Sequence, residues 1–467
     1  MTQANSDLFT IRRPSVRDRL ALGKTLRQKI RRSSLAEFKP TTGRRLAIDI
    51  LADQSKTRNP DLIPIRHARM RTSPFAFFRG SAALMAQDLS ETPSPAIQVQ
   101  LCGDMHVSNF GFFASSEHRL VFGINDFDET LPGNFDWDLK RLVASAVIAS
   151  QALGQDAVYA ESIVRAIVTS YRKNLDRFSR MHYFDLGRSY IDGDALLAPS
   201  IKIAASSRKH LEKLIRKARS NTSVGVLDKF TVLQGNERRI IDKPPLVMHA
   251  EKTHHGHSVS DLLDHSLRAY RSSLLSDRLE ILNRYRLVDC ARQVVGIGSV
   301  GLACWVMLME GVNAGDPLIL QYKEVRKSVL APYFKSARYK TQGARVERGQ
   351  RLIQGAPDLF LGYGKNFTTD FYIRQLRNMK GGISVGEDGI GVKEFPDYAR
   401  LFGWSLAQAH ARTGDPAILA GYCGRTEQLD DAMVRFAFAY AEQNMADYEQ
   451  FCKAIGSGQL VAATENF

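Results

Sequence analysis

"LCGDMHVSNFGFFASSEHRLVFGINDFDET", residues 101–130, sets five acidic side chains among apolar runs of strand type. "FGFF" and "RLVFGI" read as the two strands of a hairpin turned through "ASSEH". Asp104 stands before that hairpin, and Asp126 and Asp128 stand after it. Carboxylates at the ends of buried strands are costly to desolvate, so each needs a cation, a metal or hydrogen-bond donors. Asn109 follows Asp104 in a D-x-x-x-x-N spacing, and Asp126 opens a D-F-D. Acid, amide, hairpin, acid is the order a phosphoryl-transfer site requires. One Asp accepts the proton of the attacking hydroxyl. An Asn and a second Asp hold the Mg²⁺ that bridges the nucleotide phosphates. Asn109 and Asp126 are hard oxygen donors suited to Mg²⁺, which keeps waters and phosphate oxygens as its other ligands. Asp128 is a third candidate ligand in the same segment.

The other half of such a site is sought downstream. "VGIGSVG" supplies Gly296, Gly298 and Gly301 in a G-x-G-x-x-G flanked by strand-like residues. Such a loop lets backbone N–H groups approach phosphates. In a dinucleotide-binding unit a helix would follow, but "LACWVMLMEG" reads as a strand. The next strand, "LILQYKEV", carries Lys323, placed like the strand lysine that contacts nucleotide phosphates. The helix candidate "QGARVERGQRLIQ" offers Glu347 as its partner. Glu324 adjoins Lys323 and should point to the opposite face of the strand. These parts occur in reversed order relative to a protein kinase, so they meet only in a circular permutation, which neighbouring termini make tolerable.

"RMRTSPFAFFRG", "CGDMHVSNFGFF", "NDFDETLPGNFDWDLKRL", "VVGIGSVG", "GQRLIQ" and "LAQAHARTGD" together resemble the bacterial family called domain of unknown function 2252, over most of the chain. "GDMHVSN" is also similar to the G-D-x-H-x-x-N catalytic loop of aminoglycoside and choline phosphotransferases, and "INDFDE" resembles their metal-binding segment. The resemblance implies Asp104 as base and Asn109 and Asp126 as metal ligands. It also implies Asp138 as the helix-capping carboxylate that braces the catalytic loop. The chain departs from that pattern in reading Asn125-Asp126-Phe127-Asp128 and in placing its glycine loop downstream. The implied fold is α+β: a protein-kinase-like two-lobe fold in circularly permuted order, with a helix-rich large lobe and a small antiparallel β lobe.

The chain has 467 residues, 44% hydrophobic and 24% charged, so two or three packed lobes of an ordinary globular protein are expected. The expected division is a basic helical region at 1–60 and a helix-rich catalytic lobe at 61–290. A β-rich nucleotide-binding lobe at 291–380 and C-terminal helices at 381–467 complete it. The five cysteines are scattered without a C-x-x-C pair, and the first residues are polar, which together point to a cytoplasmic protein without a transmembrane segment. The net charge is +15, much of it in residues 11–45. One reading is a patch for an acidic partner such as nucleic acid or acidic lipid. The preferred one is the solvated face of an N-terminal helix with a loose tail, since no aromatic interleaving accompanies the charge.

The expected function is therefore ATP-dependent phosphoryl transfer from Mg-ATP to a hydroxyl of a small-molecule acceptor. The alternative is a non-catalytic nucleotide-sensing pseudokinase or a basic nucleic-acid-binding scaffold. D-x-H within "GDMH" also occurs in metallophosphoesterases, but the further acidic and G-N-H segments that two metals require are missing from the sequence. "THHGHS" (His254, His255, His257) lacks cysteine or carboxylate partners in register and reads as a surface loop. His106 is expected to brace its loop through a backbone hydrogen bond. Phe75, Phe77, Phe78 and Arg79 in "SPFAFFRG" are expected to pack against the catalytic loop.

Overall fold

The computed structural model describes residues 12–464 except 236, 254–255, 335–338, 368 and 387–388. The hairpin forms as its pattern demands. Phe110–Ala114 pairs antiparallel with Leu120–Ile124, Phe112 opposite Phe122, and all ten residues are buried. Gly381–Gly382 joins one edge and Ile191–Asp192 the other, giving four strands. Outside the hairpin, Gln98–Leu101 pairs with Leu131–Asn134. That short ladder pinches together the two ends of residues 102–130, so the segments bearing Asp104 and Asp126 leave it side by side.

The chain then enters the helix Phe135–Ala152, of which all but the last two residues are buried. Small residues on several faces let it sit among Ala157–Phe178, Phe395–Thr413 and Gln428–Gly456. Gly403 lets Phe395–Thr413 cross Ala157–Phe178 closely: a Cβ there would lie 2.2 Å from the Ile167 carbonyl oxygen.

A six-stranded antiparallel sheet forms the second part. Its order is Gly362–Asn366, Thr369–Gln375, Pro317–Glu324, Cys304–Glu310, Arg286–Gln293, Val247–Met248. Period-two alternation sorts its faces. Trp305, Met307, Leu320, Tyr322 and Phe371 pack under the helix Val259–Arg271. Val306, Leu308 and Ile319 face the helix Ser223–Phe230. Residues 294–303 connect Arg286–Gln293 to Cys304–Glu310, Lys323 lies on the next strand, and the helix Gln342–Gln354 follows. The molecule is thus a mixed α/β protein built on several antiparallel sheets.

The basic N-terminal region is docked. Helix Val16–Lys29 lies on Pro416–Cys423 where Gly23 and Gly421 let backbones approach. Four of the twelve cations in residues 12–45 are engaged inside the molecule, and the other eight are exposed. Arg19 pairs with Asp415 at 2.8 Å, Arg27 and Arg32 donate to carbonyls of residues 421–423, and Arg44 bridges Asp88 and Asp447. The expected loose tail therefore holds for none of these four residues, because each guanidinium finds a fixed acceptor on the C-terminal helices or, with Asp88, on Ala82–Ser90. Residues 66–71 are helical within Ile63–Arg71, with Ser73 capping the next helix at Pro74. Two short helices, Val259–Arg271 and Ser276–Leu282, lead into the strand Arg286–Gln293. His254 and His255 lie outside the described residues, and His257 stacks on Phe367. No described helix is long and apolar enough to cross a membrane.

Candidate active site

Asp104 follows a glycine that only a glycine can replace. Gly103 has φ +89°, and a Cβ there would lie 2.4 Å from the Glu129 carbonyl oxygen. The turn is held from below by Asp138, in the first turn of Phe135–Ala152. Its carboxylate accepts the backbone N–H groups of Cys102 (2.7 Å) and Gly103 (2.9 Å). Tyr171 contacts His410, whose other ring nitrogen is 3.5 Å from Asp138. The bracing expected of His106 falls to Asp138 instead. His106 is buried with its Nδ1 unpartnered and its Nε2 3.9 Å from Asp104; burial pushes its pKa down to about 3, so the ring is neutral at pH 7.

One turn after Asp138, Arg141 grips Asp104. Its Nε and Nη2 both donate to Oδ1, at 2.8 and 2.5 Å, while Nη2 also donates to the Phe78 carbonyl. The guanidinium lies 4.2 Å from the Phe78 ring centroid. One carboxylate oxygen of Asp104 is thereby fixed, and the residue lines a cavity of about 380 Å³. Asn109 lines it too. Its amide nitrogen donates to the carbonyls of Asp104 (3.1 Å) and Asp126 (3.4 Å), which leaves the side-chain oxygen as the atom able to meet a cation.

Asp126 and Asp128 part company on the far side of the hairpin. Asp128 is saturated: Lys323 Nζ reaches Oδ2 at 2.6 Å, Ser299 donates to Oδ2 at 3.1 Å, and Tyr372 to Oδ1 at 2.8 Å. Asp126 exposes half of its side chain, yet its Oδ1 is buried with no hydrogen-bond partner and lies 3.9 Å from Lys323 Nζ. Burial works against ionising Asp126, and Lys323, Arg374 and Lys380 outweigh it, holding the carboxyl below its usual range. Burial likewise opposes the charge on Lys323, and Asp126 and then Asp128 outweigh it, raising its pKa well above the ordinary 10.5. Lys380 has no such excess of acid. Burial and then Arg374 push it down to about 7.

The glycine loop closes the cavity opposite. Gly296, Gly298 and Ser299 line it, and a Cβ on Gly296 or Gly298 would meet nothing within 4 Å. Gly301 does not line it. It has φ +89°, its carbonyl accepts the Asn59 N–H, and its missing Cβ makes room for Arg58. Arg58 in turn donates to the Gly298 and Val300 carbonyls. Two segments 195 positions apart therefore meet through Lys323 and Asp128.

Glu347 does not reach Lys323. Its carboxylate is taken by Arg351 one turn on. Two helical residues span about 200°, and it is Arg345 that faces the site, donating to the Asp128, Thr130 and Arg326 carbonyls. Sequence reading did not single out Arg141, Arg345, Tyr372, Arg374 or Lys380. A signal existed for Arg141, which shares a helix face with Asp138 at i+3. Tyr372 and Arg374 share a strand face but carry no motif. Among the described residues no group of three His, Cys, Asp or Glu side chains is disposed to hold a metal ion. A cation here would rest on Asn109 and Asp126 alone among side chains, as suits Mg²⁺ completed by water and phosphate.

Residues 58–454 match the family described as "Uncharacterized protein conserved in bacteria (DUF2252)", and the chain belongs to that family. Neither the curated proteins nor the solved structures contain a match.

Proposed function

We propose that the protein is an ATP-dependent phosphotransferase with a protein-kinase-like fold in circularly permuted order. The observation that carries this reading is Lys323. Its ammonium lies 2.6 Å from Asp128 and 3.9 Å from Asp126, two carboxylates that line the cavity, and Ser299 of the glycine loop donates to the same Asp128 oxygen. A loop between the first two strands of a meander, a lysine on the third and a helix after it is the kinase arrangement for nucleotide phosphates. The acid, amide, hairpin, acid series stands against it from the other part of the chain. The kinase lysine–glutamate pair is replaced here, since Asp128 fixes Lys323 and Glu347 pairs with Arg351.

The donor set fits Mg²⁺. Asn109 offers its side-chain oxygen, and the unpartnered Oδ1 of Asp126 is a buried acceptor that a cation would satisfy. Asp128 is spent on Lys323, Ser299 and Tyr372, so we assign it to positioning the lysine. Mg²⁺ would supply neutralisation of phosphate charge. Arg141 holds Oδ1 of Asp104, so Oδ2 is the oxygen left to take the acceptor's proton. The acceptor oxygen forms the new P–O bond as the bond to the departing diphosphate breaks, and the hydroxyl proton passes to Asp104. The acceptor is a small hydroxylated molecule. The scaffold reading has less support, because Arg19, Arg27, Arg32 and Arg44 of the basic stretch are engaged within the chain, which leaves eight exposed cations to carry it.

A Mg-ATP thermal-shift titration tests the proposal. At a hundredfold excess over Kd, binding adds about 2.7 kcal/mol, or about 3 °C for a chain of this length. Wild type should show that shift, and Lys323→Ala and Asp126→Asn should not. A like response from all three would remove the nucleotide from this cavity. Asp104→Asn should keep the shift and lose transfer of a γ-label; transfer of an α-label would instead mark nucleotidyl chemistry.

A further inference from the structure

A second chamber of about 340 Å³ adjoins the first and shares Arg79, Ser108 and Ile297 with it. It opens on the Asp104 side, since Ser108 follows the catalytic turn directly. The rest of its wall includes Thr72, Ser73, Phe75 and Ser384. Four hydroxyl residues and four apolar ones surround the guanidinium groups of Arg69 and Arg79, and it is Arg79 that both chambers share.

That guanidinium is unusual in what it lacks. The Nε of Arg79 is buried and has no hydrogen-bond partner among the described residues. Its charge is opposed first by burial, and Asp104 and Asp126 act on it only across space. Even a partly buried cation without a contacting acceptor is costly. Arg141 shows the contrast, with Nε and Nη2 both donating to Oδ1 of Asp104 and Nη2 also to a carbonyl. The rigid fork of an arginine matches a carboxylate or phosphate with two parallel hydrogen bonds.

We propose that this second chamber is the acceptor site, and that the acceptor is a small polyhydroxylated molecule carrying its own anionic group, a phosphate or carboxylate, held by Arg79. Ser73 and Ser108 offer hydroxyls to the body of the molecule, and Arg79 fixes its charged end so that a hydroxyl reaches Asp104. The assignment of the chamber as an acceptor site rests on the phosphotransferase reading. The anion site at Arg79 does not.

The probes are glycerol 3-phosphate, glycerate and glycerol, which share three carbons and differ in charge. Titration calorimetry on the full chain should show saturable binding of at least one anionic probe and none of glycerol at the same concentration. Arg79→Gln should weaken that binding at least tenfold, the scale of a lost charge-assisted pair. Thr72→Glu adds an acid at an exposed wall position and should weaken it severalfold, which keeps the test open if Arg79→Gln does not fold. Thr72→Glu, whose position lies outside the first cavity, should bind Mg-ATP within about twofold of wild type. Anion binding unchanged in both variants, or no anion binding to wild type at millimolar concentration, overturns the proposal. Loss of Mg-ATP binding in Arg79→Gln equal to that in Lys323→Ala would move Arg79 to the nucleotide and also overturn it. Wild type that binds the anion and not Mg-ATP would sink the phosphotransferase reading and leave the anion site standing.

Discussion

Replacing Lys323 by Met should cost stability even with no ligand present. The ammonium is buried, and it is the one cation in hydrogen-bond contact with the Asp128 carboxylate among the described residues. Breaking a fully buried pair costs about 3–5 kcal/mol, mainly through the charge left behind. Here that charge is partly sheltered. Asp128 keeps the hydroxyls of Tyr372 and Ser299, and its side chain is 22% exposed. The expected loss is therefore smaller, about 2–3 kcal/mol at pH 7. The pH dependence follows from the directions of the two shifts. Asp126 is held below 3.8, so its share of stability is present above that value and lost as pH falls through its folded value. Lys323 is held above 10.5, so its share is present below that value and lost only at higher pH. The gap between wild type and variant should be flat from about pH 5 to pH 9 and close below pH 3.8. Chemical denaturation of Lys323→Met, Asp128→Asn and the double variant measures it as a cycle. The coupling should be at least about 1 kcal/mol. A loss under about 0.5 kcal/mol, additive single effects, or a gap that widens in acid would refute the argument that this ion pair joins the two segments.

Three further outcomes are expected. Arg141→Leu should leave Mg-ATP binding intact and slow γ-phosphoryl transfer, including slow transfer to water, about a hundredfold, because Asp104 loses the grip that orients it; single-turnover release of labelled phosphate reads this. Gly301→Ala should destabilise by about 1–3 kcal/mol through its left-handed backbone and the Arg58 contact, whereas Gly298→Ala, which points into open space, should keep stability and weaken Mg-ATP in the thermal-shift assay. His249 bridges Asp242 (2.9 Å) and Asp289 (3.0 Å), and these hydrogen bonds outweigh partial burial and raise its pKa above 6.5. Its contribution is full below 6.5 and fades as pH rises through the folded value, so denaturation of His249→Gln should lack that fall above neutrality.

Much of the site is legible in the order of residues 101–130 alone. The alternation of "FGFF" and "RLVFGI" dictates a hairpin, and a hairpin must return Asp126 to the neighbourhood of Asp104 and Asn109. The period of residues 139–149 dictates a helix, and Asp138 at its start faces the turn it braces. Those are local consequences of residue order. What lay beyond the sequence was which partner each charge takes across long separations. Glu347 and Arg345 are equally plausible on a helix wheel, and only the docking of that helix against Asp128 and Thr130 turns Arg345 inward. Asp126 and Asp128 are equivalent as letters, and they become different once Lys323, Tyr372 and Ser299 converge on one and leave the other with an unsatisfied oxygen. Secondary structure follows from short-range periodicity, but the saturation of a carboxylate depends on donors brought in from three distant elements, and that is decided only when the sheet and the hairpin close on each other.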